Sequence, residues 1–62
     1  MEMIDLPQVM TKTTLGKSTI YAYVKEGKFP APIKLGNRAI AWVEKEVSDW
    51  LDERVKASRV AS

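Results

Sequence analysis

The sequence predicts a mainly α domain of three helices with a two-stranded β-hairpin, and three observations carry that prediction. Two short apolar stripes at helical spacing stand close together before residue 28, a proline-bounded alternating segment follows, and helical spacing returns from residue 43 onward. Two short helices joined by a tight polar connector form a helix-turn-helix signature, which the hairpin extends as a wing. A generic helical hairpin fits the first two elements equally well.

Asp5-Leu6-Pro7-Gln8 is a helix-start signal. Asp5 serves as N-cap, Pro7 falls in the first turn and Gln8 completes a capping box. Leu6, Val9 and Met10 give an i, i+3, i+4 apolar stripe, and the polar run Thr11 to Thr14 ends the helix before Leu15.

The second helix lies within Leu15 to Gly27, with Gly16 as N-cap and Gly27 in the left-handed conformation that ends it. Ile20, Tyr23, Val24 and Gly27 line one stripe, while Ser18, Tyr21, Ala22 and Lys25 fall on or near the opposite side. That outward side carries no carboxylate until Glu26. Hydroxyls and flanking lysines near a positive helix N-terminus suit phosphates and base edges, so Lys17, Ser18, Thr19, Tyr21, Ala22 and Lys25 are candidate contacts. Tyr21 and Tyr23 are two positions apart and cannot share a face. Tyr23 belongs with the packed stripe; Tyr21 either offers its hydroxyl to a phosphate or covers the hydrophobic seam.

Pro30 and Pro32 then forbid a regular helix and push Phe29 and Ala31 into extended conformations. Ile33-Lys34-Leu35 alternates, Gly36-Asn37 supplies residues that tolerate positive φ, and Ala39-Ile40-Ala41-Trp42 returns as the second strand. Two strands alone are marginal in water, so Ile33, Leu35, Ile40 and Trp42 are expected to pack one face against the helices. Lys34, Asn37 and Arg38 then occupy the solvent side or tip, where they are candidates to meet a nucleic-acid backbone or minor groove.

In the last helix, Val43, Val47, Trp50, Leu51 and Val55 form one stripe and Lys45, Ser48, Asp49, Asp52 and Lys56 cover the other side. Glu44 and Glu46 suit its N-terminus and Arg54 and Lys56 its C-terminus through the helix dipole. Trp50 is expected to be the largest core anchor. The domain is placed at residues 1–57, with a frayed tail at 58–62, because Ala57 to Ser62 hold no apolar pattern to bury.

Composition narrows the chemistry. The chain has 62 residues, with no cysteine and no histidine, so thiol nucleophiles, disulfides, imidazole bases and the usual zinc ligands are missing and no enzyme, cofactor or metal is expected. No apolar run of about 18 residues is present to span a bilayer, and the start lacks a signal-peptide pattern, so a cytoplasmic location is expected. The net charge of +2 is unevenly spread: residues 1–43 hold six basic side chains against three acidic ones, and residues 44–62 hold four against five. A basic front and a faintly acidic back suit a small module docking on a polyanion, although a solvated mixed surface has the same composition.

Two local patterns have simpler readings. Gly16-Lys17-Ser18 resembles the end of a phosphate-binding loop, but Thr11 stands where that motif needs glycine and no strand precedes it. Trp42 and Trp50 lie on the apolar faces of their elements, which assigns them to packing ahead of base stacking.

In their order, Leu6-Pro7 with Val9, Lys17 to Tyr21, Gly27 to Pro30, Pro32 to Gly36, Arg38 to Trp42, Glu46-Val47 and Trp50-Leu51 resemble the AlpA family of small phage-type DNA-binding regulators. That family is related in fold to the winged helix-turn-helix of MerR-like proteins and some excisionases. The resemblance implies a major-groove helix around Ser18 to Lys25, a wing around Lys34 to Arg38, and a regulator controlling integrase expression or excision of a prophage or genomic island. Double-stranded DNA is the implied partner, with neighbouring copies or an integrase as further candidates, in a bacterial or phage-encoded protein that joins the nucleoid when bound. The family usually has serine where this chain has Gly16, and often a basic residue where this chain has Ala22; alanine there suits a thymine methyl in place of guanine readout. The rival reading is a protein-interaction module, such as an antitoxin-like adaptor, working through the acidic face of the last helix.

Overall fold

The computed structural model describes residues 1–59. The elements run β1 (Met3–Ile4), α1 (Leu6–Thr13), α2 (Lys17–Lys25), β2 (Ile33–Lys34), β3 (Ile40–Val43) and α3 (Glu44–Arg59). The three helices and the hairpin follow the order read from the sequence. A further strand, β1, pairs antiparallel with β3, so the hairpin becomes a sheet of order β1-β3-β2.

The ends of the first two helices are set by local chemistry. The Asp5 carboxylate accepts from the Gln8 N–H at 3.0 Å, and the Gln8 side-chain oxygen accepts from the Asp5 N–H at 3.0 Å, which closes the capping box. At the other end the buried Thr13 hydroxyl donates to the Val9 carbonyl at 2.8 Å and accepts from the Leu15 N–H at 3.3 Å. Thr14 then turns the chain in the left-handed region, at φ 60°, a conformation uncommon outside glycine and asparagine. Gly27, at φ 75°, ends α2: its N–H reaches the Val24 carbonyl and that of Lys28 reaches Tyr23, the paired bonds of a Schellman motif.

The register of the hairpin overturns one expectation. Ile33 lies opposite Ala41 and Lys34 opposite Ile40, while the Leu35 N–H donates to the Ala39 carbonyl at 2.8 Å. Residues 36–38 therefore make a three-residue connection. A two-residue Gly36-Asn37 turn would have set Ile33 against Ile40, but neither residue takes the positive φ that such a turn requires. One extra residue exchanges the faces. Ile40 and Trp42 point into the core together with Ile4, whereas Ile33 and Leu35 stand on the other face, 43% and 60% exposed.

The core is built around Trp42, Ile20, Val9 and Val47, all fully buried, with Ile4 and Phe29 beside them. Trp42, not Trp50, is the largest anchor. It sits on the central strand, where helices cover its ring and β1 and β2 flank its backbone, while Trp50 lies further along α3 and stays half-buried. Trp50 still packs: its ring meets Phe29 edge-on at 4.8 Å and its indole N–H donates to the Lys28 carbonyl at 2.6 Å. Arg54, itself exposed, lies over the rings of Trp50 and Tyr23, at 5.0 and 5.9 Å.

The helix α3 is locked to α1 by an ion pair. Lys12 Nζ stands 2.8 Å from Glu44 Oε2, and the Ser48 hydroxyl donates to the same oxygen at 2.7 Å. These two donors hold the Glu44 carboxyl below its ordinary pKa. Val55, expected in the apolar stripe, is 46% exposed because the last turns of α3 run past the packed layer. Ser58 and Arg59 of the expected tail are helical; Val60, Ala61 and Ser62 lie outside the described residues.

Candidate nucleic-acid interface

On α2, packing leaves one side free. Ile20 is buried and Tyr23 and Val24 are half-buried, so the i, i+3, i+4, i+7 series Ser18, Tyr21, Ala22 and Lys25 turns outward, with Lys17 exposed at the start and Thr19 half-buried between the faces. Gly16 caps through its extended backbone alone, and no side chain bonds the first-turn amides. The donors at this end remain directed outward, with the helix dipole behind them. At the other end Glu26, the nearest carboxylate, is engaged by Lys28 at 3.2 Å.

On the hairpin, Lys34, Asn37 and Arg38 are all exposed around the connection. The hairpin lies against α2 through Tyr21, whose ring centre is 6.5 Å from that of Trp42 at an interplanar angle of 53°. Tyr21 therefore covers the seam between α2 and β3 while remaining 37% exposed, so packing leaves its outer edge free.

Pairing sorts the cations. Lys12, Lys28 and Lys45 form ion pairs with Glu44, Glu26 and Asp49, and Arg54 stacks over aromatic rings. Among the described residues, Lys17, Lys25, Lys34, Arg38 and, in the last turns of α3, Lys56 form no ion pair; the first four lie on α2 and the hairpin. Those four are the basic residues singled out from the sequence, and the structure distributes them over α2 and the adjoining hairpin. Sequence reasoning missed Ile33 and Leu35 as exposed side chains of the wing; a three-residue count for the connection at 36–38 is the signal that would have found them.

The family model described as "Prophage CP4-57 regulatory protein (AlpA)" matches residues 2–55. The chain belongs to the AlpA family. Among curated relatives, this AlpA-family chain is 38% identical over 52 residues to "Uncharacterized protein ORF88" of Enterobacteria phage P4, covering 84% of the chain and 59% of the phage protein. It is 32% identical over 60 residues to "DNA-binding transcriptional activator AlpA" of Escherichia coli strain K12, covering 87% of the chain and 86% of that protein. The chain thus spans less than two thirds of the length of the phage relative. Among the described residues, no helix is long and apolar enough to cross a membrane.

Proposed function

We propose that this AlpA-family domain is a regulator that binds double-stranded DNA, docking α2 in the major groove while the hairpin meets the adjoining backbone or minor groove. The observation that carries this reading is the placing of cations: Lys17, Lys25, Lys34 and Arg38, on α2 and the adjoining hairpin, form no ion pair among the described residues, while Lys12, Lys28, Lys45 and Arg54 are engaged within the fold. A polyanion supplies the missing partners. Ser18, Thr19 and Ala22 are the residues for base edges, with the small methyl of Ala22 suited to thymine, and Tyr21 and Asn37 add polar contacts to backbone. Membership of a family of prophage regulators, and likeness to a protein named as a DNA-binding transcriptional activator, support the same partner.

The biological role that follows is control of integrase expression, excision of an integrated element, or both. A single helix with a wing covers roughly 600–1,000 Å² of protein surface, which alone gives limited specificity in a genome. Useful occupancy then calls for clustered sites or a protein partner, such as an integrase, already on the DNA. Footprinting across the native locus together with an excision assay tests this: clustered sites near an integrase gene or an attachment end are expected. One isolated site far from any recombination gene, with excision unaffected by deletion of the protein, would reduce the role to local regulation.

A further inference from the structure

The hairpin carries a feature that DNA docking by α2 leaves unused. β2 lies at the edge of the sheet, and its ladder bonds alternate sides, so with Leu35 bonded to Ala39 the N–H and C=O of Lys34 point away from β3 to the open edge. The paired strand residues on the face next to that edge are uncharged: Ile33 stands opposite Ala41, which leads along β3 to Val43 and its partner Met3, and Leu35 stands opposite Ala39. Trp42, against which Tyr21 of α2 leans, is on the other face of the sheet. Ile33 and Leu35 are therefore turned away from α2 and from DNA held by it.

We propose that β2 is a pairing edge for a second copy of this chain, and that two copies join by antiparallel β2–β2 pairing centred on Lys34 when DNA holds them at adjacent inverted sites. The inference rests on the DNA-binding reading above. A two-fold axis at Lys34 sets Ile33 of each copy opposite Leu35 of the other, so two apolar cross-strand pairs cover the exposed side chains, and the two Lys34 backbones exchange their free hydrogen bonds. The contact is self-limiting in free solution. Four aliphatic side chains bury far less than the roughly 800 Å² per partner of a stable interface, and the two Lys34 ammonium groups face each other directly on the opposite side of the sheet. Lysine at an open edge is a guard against pairing. DNA removes both obstacles: a shared duplex raises the effective concentration to the order of millimolar, and its phosphates neutralise the facing lysines.

Selection of duplexes from a random-sequence pool by the wild-type chain, followed by titration of duplexes holding one or two copies of the selected element, tests the pairing. The expected result is enrichment of inverted repeats, at least tenfold tighter binding of the second copy than of the first, and a monomer by sedimentation without DNA. The Ile33→Thr/Leu35→Thr variant keeps β-compatible side chains at two exposed positions, so it should melt like the wild type, bind a single element within twofold of it, and lose the cooperativity. Wild-type cooperativity in that variant, or two-site binding with none in the wild type, would overturn the pairing alone. Failure of the wild type to bind any duplex would overturn the DNA-binding reading and the pairing with it.

Discussion

The indole N–H of Trp42 donates to the carbonyl oxygen of Pro30 at 2.9 Å, so the most buried side chain of the hairpin also fixes the extended segment that leads into it. Trp50 does the same two residues earlier, at Lys28, and Phe29 is held between these two anchors. The link from α2 to the wing is therefore fastened at two carbonyls, which sets the position of the hairpin relative to α2.

Replacing Trp42 tests that fastening. Trp42→Ala should destabilise the domain by about 3–5 kcal/mol, a large share of the roughly 3–9 kcal/mol expected for a chain of this size. Trp42→Phe retains most of the apolar bulk but leaves the Pro30 carbonyl unpaired, for a smaller loss of about 1–3 kcal/mol. Thermal melts followed by circular dichroism give the comparison. Equal melting of Trp42→Phe and wild type would show that the bond to Pro30 contributes nothing.

Acid should weaken the joint between α1 and α3. Lys12 and Ser48 donate to the Glu44 carboxylate and lower its pKa from the ordinary 4.5, so the folded state binds its proton less readily than the unfolded chain does. The stabilisation is then fully present above the unfolded value and lost as pH falls below 4.5 through the lowered folded value. Glu44→Gln should melt below the wild type at pH 7, with the gap closing toward pH 3. A gap that stays constant over that range would assign the effect to packing and not to charge.

On the wing, Arg38→Ala should leave the melting temperature nearly unchanged, because the side chain is exposed and has no ion pair among the described residues. Its cost should fall on DNA affinity, and most on sites with a narrow AT-rich minor groove, whose negative potential favours arginine. Competition between AT-rich and GC-rich flanking sequences reads the effect. A lowered melting point with unchanged affinity would make Arg38 a structural residue.

On α2, Ala22 should discriminate bases where Lys17 and Lys25 do not. Substitution of Ser18, Thr19 or Ala22 should change preference at one base position, by about 1–3 kcal/mol if a good contact is lost. Binding to a panel of single-base variants measures this. Uniform weakening across the panel would reassign the residue to the phosphate backbone.

The elements with local signals were legible from the sequence. Asp5 and Gln8 cap α1, Gly27 ends α2, and the side of α2 opposite Ile20 is exposed, because each depends on residues within one or two turns. What was not legible depends on pairing across the chain. Met3 and Ile4 are too short a run for a periodic signal, and their strand exists only because β3 offers an edge some 40 residues later. The faces of the hairpin turned on one residue in its connection, which sent Ile33 and Leu35 outward. The ranking of the tryptophans likewise followed from the central place of β3 in the sheet, which neither its composition nor that of α3 reveals. For the candidate interface, exposure of Lys17, Lys25, Lys34 and Arg38 could be read in advance, but their lack of ion partners required knowing that Glu44 is taken by Lys12 and Glu26 by Lys28.

The central claim is that Lys17, Lys25, Lys34 and Arg38, on α2 and the hairpin, hold the phosphates of DNA, and the salt dependence of binding tests it most directly. With affinity measured from about 50 to 200 mM salt, the plot of log affinity against log salt should be steep, and each of Lys17→Ala, Lys25→Ala, Lys34→Ala and Arg38→Ala should reduce its slope by about 0.9. Lys12→Ala and Lys45→Ala, whose side chains are occupied within the fold, should leave the slope unchanged. A wild-type slope in all four cation variants, or an equal loss from the two paired lysines, would contradict the account.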